Sequence, residues 1–105
     1  MIVVTTNEIA GKKIKTTLGL VRGSTIRAKH IGKDIVAGFR TIAGGEIKEY
    51  TDMLKESREQ ALTRMVAEAQ SLGADAVICM RFGTAQVMSN AAECIAYGTA
   101  VVLED

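Results

Sequence analysis

The sequence predicts an α+β domain of two layers, in which an antiparallel sheet is covered by one short and one long helix. Residues 13–21 alternate apolar and polar side chains, which is typical of a half-buried strand. A single apolar stripe then recurs at helical spacing from Glu46 to Leu72, and two further β-rich runs follow it. The predicted order of elements is β-β-β-α-α-β-β. All 105 residues are expected to form one domain, residues 1–105.

The N-terminal part is predicted to contain three short strands, at residues 2–6, 13–21 and 24–29. In the second of these, alternate positions from Ile14 to Leu20 carry the apolar or β-branched side chains. The residues Arg22-Gly23-Ser24 favour a turn, so the second and third strands are expected to pair as a hairpin.

Two helices are predicted next. Asp34 is a suitable N-cap for a short amphipathic helix that ends at Gly44-Gly45. The long helix starts at Glu46, and its stripe consists of Ile47, Tyr50, Leu54, Ala61, Met65, Ala69 and Leu72. The stripe is interrupted near Ser57-Arg58, where a kink, a polar contact or a change of packing partner is expected. Gly73 suits a left-handed C-terminal cap.

A C-terminal hairpin is predicted from residues 76–88 and 92–103, with the turn at Ser89-Asn90. A two-residue turn there sets the register by placing Met88 opposite Ala91, Ala85 opposite Cys94 and Cys79 opposite Ala100. Cys79 and Cys94 are then offset by six positions, which is about 20 Å along the strands. That distance excludes a disulfide or a shared metal ion within the hairpin.

Composition excludes several classes of function. Thirteen basic and twelve acidic residues are interleaved and give a net charge of +1, so no nucleic-acid partner is expected. The N-terminus lacks the features of a secretory signal, and no apolar run is long enough to span a membrane. The expected location is therefore cytoplasmic, with both cysteines reduced. Because aromatic residues make up only 4% of the chain, aliphatic and small side chains must fill the core, and such cores often gain stability by association.

Five segments together resemble the YbjQ-like family, also called UPF0145. They are residues 27–35 (RAKHIGKDI), 44–51 (GGEIKEYT), 57–61 (SREQA), 72–77 (LGADAV) and 96–101 (AYGTAV). The resemblance implies a YbjQ-like, dodecin-like α+β subunit that assembles into a homo-oligomeric ring, with five copies as the expected number. Members of this family are labelled as heavy-metal-binding, so the resemblance implies metal binding as an expectation. It implies no established activity. The chain departs from similar sequences at Cys79-Met80, where small or aliphatic residues are common, so sulfur there is not a family ligand.

Metal binding has three candidate ligands, His30, Cys79 and Cys94. No Cys-x-x-Cys pair is present, although paired thiolates are the usual sign of a structural zinc site. Cys79 and its neighbour Met80 project to opposite faces of a strand, so the two cannot chelate one ion. Each cysteine fits a buried apolar position, and His30 fits a surface or capping position. A metal site would therefore need ligands from neighbouring subunits, and no resident cofactor is expected.

Catalysis and phosphate binding have little support in the sequence. The chain has one histidine, no G-x-S-x-G elbow and no complete P-loop, so an enzyme is not expected. Gly98 weakens a strand unless a bulge or a close subunit approach uses its missing side chain. Tyr97 can fill an interface or an ordinary place on the sheet. Tyr97 and Gly98 are therefore the candidates for an oligomer interface.

Three functions remain open. The first is an oligomeric cytoplasmic protein without a catalytic site, binding a small ligand or ion at its subunit junctions. The alternative is a heavy-metal-binding protein that uses Cys79, Cys94 or His30 from neighbouring chains. The third is an enzyme that acts in a cleft of the ring.

Overall fold

The computed structural model of the chain describes residues 1–28, 48–88 and 91–105. These residues form strand β1 (Ile2–Val3), strand β2 (Ile14–Ala28), helix α1 (Lys48–Ser71), strand β3 (Ala76–Met88) and strand β4 (Ala91–Leu103). The α+β class is confirmed. The predicted short helix and the turn at Ser89-Asn90 lie outside the described residues.

The four strands form one sheet in the order β1-β3-β4-β2. β3 and β4 are antiparallel, and so are β4 and β2, but β1 runs parallel to β3 with Ile2 opposite Ala76. The sheet is therefore mixed, and the prediction of a purely antiparallel sheet is wrong. The parallel pairing is possible because a long crossover, which includes α1, separates β1 from β3 in the chain.

The prediction of a turn at Arg22-Gly23-Ser24 is also wrong, because β2 runs through it as one strand of 15 residues. Gly23 is buried and pairs with Ala96 of β4. A Cβ atom at this position would clash with the backbone nitrogen of Met65 and the backbone oxygen of Ala61. This glycine therefore serves the close packing of α1 on the sheet, and it does not reverse the chain.

The C-terminal hairpin has the predicted strands, except that β4 begins one residue earlier, at Ala91. Met88 lies opposite Ala91 as predicted, but two irregularities in β3 change the register beyond it. Thr84 rather than Ala85 faces Cys94, and Val77 rather than Cys79 faces Ala100. Each irregularity places one extra residue in β3, so the predicted register slips by one position at each.

Helix α1 covers one face of the sheet and contributes a single buried row, Ser57, Ala61, Met65 and Ala69. Val21, Val77 and Ala96 pack against this row from β2, β3 and β4. The prediction that Leu54 and Leu72 belong to the buried stripe is wrong, because both side chains are exposed. The side chains of Ile47 and Tyr50 lie outside the described part of the chain.

Ser57 explains the interruption of the apolar stripe, and the expected polar contact is confirmed. Its hydroxyl lies 2.6 Å from the hydroxyl of Thr25 on β2, and the Thr25 hydroxyl can also reach the Ser57 carbonyl oxygen at 3.2 Å. Both side chains are buried, so each hydroxyl satisfies the other. Gly73 follows the helix with a φ of 82°, which confirms the left-handed cap.

On the opposite face, the segment between β1 and β2 covers only one end of the sheet. Ile9 from this segment packs there against the buried Ala76, Ile78 and Val101. The described part of the chain is elongated, with dimensions of 55 × 24 × 16 Å. Helix α1 is too polar to cross a lipid bilayer, and the described residues contain no other helix.

Candidate functional site

Cys79 lies at the bulge in β3, between the paired positions Ile78 and Arg81. Its φ of 55° is in the left-handed region, and no other described residue except glycine has a positive φ. The backbone is held there by two hydrogen bonds to the N-terminal segment, from the Cys79 N–H to the Thr6 oxygen and from the Met80 N–H to the Val4 oxygen. The thiol is half-buried and packs on the Ile78 side of the sheet.

Met80 is buried on the other side of the sheet, against the helix. Cys79 and Met80 therefore do point to different faces. Cys94 is five positions from Cys79 in register, since its partner is Thr84, or about 16 Å along the strands. The two cysteines do not form one site within the subunit.

Cys94 lies beneath the helix and lines a cavity of about 50 Å³ together with Met53, Ser57 and Thr84. Its side chain is 6% exposed, and its sulfur has no hydrogen-bond partner among the described residues. Burial raises the pKa of the Cys94 thiol above its ordinary value, and the positive charge of Arg58 offsets part of that rise. Cys94 is therefore a protonated thiol at neutral pH.

Met53 is the cavity residue that the sequence reasoning missed. It precedes Ser57 by four residues, so the two lie on the same side of α1. The row Met53, Ser57, Ala61, Met65 and Ala69 repeats every four residues. The four-residue spacing of this row can be recognised in the sequence if serine is accepted at a buried position.

Tyr97 is 39% exposed and lies on the face of the sheet opposite α1, which no helix among the described residues covers and which is called here the helix-free face. The register places Arg22 of β2 on one side of it and Arg81 of β3 on the other. Arg81 donates hydrogen bonds to the backbone oxygens of Thr5 and Met80, both at 2.8 Å. The three residues therefore occupy directly opposed positions in a row across β2, β4 and β3.

Gly98 is buried in β4 opposite the bulge in β3. A Cβ atom there would lie 2.6 Å from Cγ1 of Val77 and 3.0 Å from the Ile78 oxygen. The sequence left two explanations for Gly98 open, a bulge or a close approach between subunits. The structure shows the bulge, and the close contacts at Gly98 are with Val77 and Ile78 of the same chain. His30 lies outside the described residues, so its position relative to the cysteines is not defined.

A larger depression of about 880 Å³ is lined by the consecutive residues 6–14. It contains Glu8, Lys12 and Lys13, all of them exposed. Because one segment supplies the whole lining, a ligand there would be held from one side only. The described residues contain no group of three or more His, Cys, Asp and Glu side chains that could hold a metal ion.

Comparison with known proteins identifies the family. The family model of YbjQ type, described as "Putative heavy-metal-binding", matches residues 1–104. This chain belongs to the YbjQ-like family. A UPF0145 protein of Dehalococcoides mccartyi is 62% identical over 104 residues, which are 99% of this chain and 100% of that protein. A UPF0145 protein of Methanosarcina acetivorans is 59% identical over 101 residues, which are 96% of this chain and 95% of that protein.

A solved structure shares the fold of this YbjQ-like chain. It is a DUF74-family protein of unknown function from Pediococcus pentosaceus, with a TM-score of 0.67 and 17% sequence identity. The alignment covers 99% of this chain and 98% of that one. None of these relatives has a name that gives a catalytic activity.

Proposed function

We propose that this YbjQ-like chain is a subunit of a homo-oligomer, and that it acts as a binding protein rather than as an enzyme. The observation that carries the proposal is the helix-free face of the sheet, defined here by Leu20, Ile26, Ile95 and Tyr97. Leu20 is 62% exposed and Ile26 is 64% exposed, and both lie in β2, the strand at one edge of the sheet. Apolar side chains presented by a rigid sheet gain stability when a second surface covers them.

The open edge of β3 gives a second reason for assembly. β1 and the residues after it reach β3 only as far as Met80, so within residues 1–28, 48–88 and 91–105 the part of β3 beyond this point pairs with β4 alone. Phe82, Val87 and Met88 are exposed along that part. Long apolar edges promote uncontrolled association unless they are covered, and a neighbouring copy provides such a cover.

Charge supports a second copy as the occupant of the helix-free face. The face carries Arg22 and Arg81 beside Tyr97, whereas the exposed side of α1 carries Glu59 and Glu68. A neighbouring helix would thus offer carboxylates to the arginines. Any arginine left unpaired at the junction would supply a contact for a small anionic ligand. A ring of five copies is the arrangement that the family resemblance favours.

Light scattering on the purified protein tests the assembly. We expect a mass several times the 11.2 kDa of one subunit. The double variant Leu20→Lys/Ile26→Lys should fall to the subunit mass, because two buried charges would lose hydration at the junction. Ala10→Lys, in the exposed segment between β1 and β2 and outside both proposed contact surfaces, is the control and should leave the mass unchanged. A monomeric wild type, or a double variant that stays assembled, would contradict the proposal.

Heavy-metal binding is a second candidate function, with ligands shared between neighbouring subunits. The left-handed backbone of Cys79 favours it, because strained backbone is often retained where a side chain has a task. The half-buried thiol is also within reach of a neighbouring chain. If this candidate is correct, metal in the purified oligomer should fall to background in Cys79→Ser. Unchanged metal content in that variant would exclude Cys79 as the shared ligand.

A further inference from the structure

The cavity beneath helix α1, lined by Met53, Leu54, Ser57, Thr84 and Cys94, is built differently from a site for an organic ligand. Its volume is about 50 Å³, whereas pockets for organic ligands measure about 300 to 1,000 Å³. A single ion without its water shell fits such a space. The cavity lies within one subunit, so it does not depend on how the chain assembles.

Two sulfur-containing residues from different elements line this cavity. Cys94 comes from β4 and Met53 from α1, at the place where the helix crosses the β3–β4 hairpin. The Cys94 sulfur makes no hydrogen bond to any described residue, so its lone pairs are available. The Ser57 hydroxyl, in contrast, is already bonded to Thr25. The lining also includes the oxygen-bearing residues Thr84 and Glu93, but its two sulfur donors, a thiol and a thioether, are both soft ones.

The charged groups around the cavity also limit the ion. Arg27 and Glu93 belong to the lining, and Arg58 acts on Cys94 through its charge. The Arg27 guanidinium is occupied by the Gln60 side-chain oxygen at 2.9 Å and by a Glu56 carboxylate oxygen at 3.6 Å. The positive charges of Arg27 and Arg58 disfavour the binding of a highly charged cation in the cavity. The charge of a monovalent cation, in contrast, is fully neutralised by one thiolate. A zinc site would need about four ligands, and the described residues hold no group of three His, Cys, Asp or Glu.

We propose that this cavity binds one soft monovalent cation, of the Cu(I) or Ag(I) class, through the Cys94 thiolate and the Met53 thioether. The site goes beyond the second candidate function, in which neighbouring chains share the ligands, because both of its sulfur ligands belong to one chain. Binding breaks the S–H bond of Cys94, forms a sulfur–metal bond and releases the proton to solvent. The oxidation state of the metal does not change, so no reductant or oxidant takes part.

Silver(I) is the probe, because it does not change oxidation state in buffer. The experiment uses the Cys79→Ser protein, in which Cys94 is the one remaining thiol. We expect one Ag(I) per subunit by calorimetry and elemental analysis, and a raised thermal midpoint, since binding favours the folded state. Adding Cys94→Ala should abolish binding. Adding Met53→Leu should weaken it about tenfold or more, while Met88→Leu should have no effect.

Several results would overturn the proposal. Equal affinity with and without Met53→Leu would mean that Cys94 acts as an isolated thiol. Ag(I) binding that survives Cys94→Ala would place the ion elsewhere. Far-UV circular dichroism of each variant checks that the fold is intact, and Cys94→Ser is a second variant if Cys94→Ala does not fold. Failure of the second candidate function appears separately, as metal content that is unchanged in the Cys79→Ser variant.

The pH dependence gives an independent readout of the same site. Because the thiol is protonated at neutral pH, each bound Ag(I) should release one proton, and the affinity should rise with pH. The rise should continue beyond the pKa of a free cysteine, about 8.5, since burial favours the protonated thiol. Calorimetry in buffers of different ionisation enthalpy measures the proton directly. An affinity that does not change between pH 6 and pH 9 would exclude the thiolate as the ligand.

Discussion

Replacing Gly23 by alanine is expected to lower the free energy of unfolding by about 3 kcal/mol. The new Cβ would lie 2.7 Å from the backbone carbon of Arg64 and would clash with backbone atoms of Ala61 and Met65. Backbone of a regular helix cannot rotate away as a flexible side chain does. The whole of α1 must therefore lift from the sheet, which also weakens the packing of Met65.

Urea unfolding followed by circular dichroism measures this effect as a shift in the midpoint. Gly83→Ala is the matched control, since Gly83 also lies in a strand. Its added Cβ would meet only side chains, Ile95 at 3.2 Å and Tyr97 at 3.9 Å. Gly83→Ala should lower the free energy of unfolding by clearly less than Gly23→Ala does. Equal costs for the two substitutions would show that α1 does not press on Gly23.

Met65→Ala should have a similarly large effect, about 2 to 5 kcal/mol of unfolding free energy. Met65 is fully buried and is among the largest of the completely buried side chains. It contacts the core that Val21 and Ala96 form on the sheet. Truncation removes its apolar contacts and leaves a cavity between two layers that cannot easily collapse, because Gly23 already sets their closest approach.

Met88→Ala is the matched control for Met65→Ala, because the same atoms are removed from a side chain that is 60% exposed. Thermal unfolding at low protein concentration compares the two variants without a contribution from assembly. We expect the control to change stability by less than about 0.5 kcal/mol. If Met65→Ala also lowered the free energy of unfolding by less than about 0.5 kcal/mol, the packing of α1 would not depend on this core.

Local chemistry made part of the fold predictable from the sequence. Gly73 ends the helix as expected, because a left-handed cap needs a residue without a Cβ. The ends of β3 follow from its β-rich composition, and the break in the stripe at Ser57 signalled a polar contact. Each of these features is decided within a few residues of chain.

The errors arise where a distant element decides the role of a residue. Gly23 has the composition of a turn, but its absent side chain admits a helix that is about 40 positions further along the chain. Leu54 and Leu72 are apolar, yet both side chains are exposed on or just after α1. Strand register cannot be read past a bulge, because alternation within β3 gives no sign of the extra residue.

The candidate site shows the same limit. The sequence pointed to Cys94, and the structure adds Met53 from α1. The two residues are 41 positions apart. Their meeting depends on where α1 crosses the hairpin, which is a property of packing and not of either segment alone. Cys79 and Met80 do face opposite sides as predicted, although the bulge breaks the regular alternation and leaves Cys79 on the same side as its neighbour Ile78.

The bulge at Cys79 changes the phase of β3. Before it, the odd-numbered Val77 faces the helix; after it, the even-numbered Met80 does. The positions of β3 that face the helix are therefore odd-numbered before the bulge and even-numbered after it, and one extra residue causes the change. Losing any single residue at this place would exchange the two faces of everything beyond, moving Arg81 toward the helix and Phe82 toward the row of Tyr97. The number of residues in β3 at the bulge is therefore constrained more tightly than the identity of the residue at position 79.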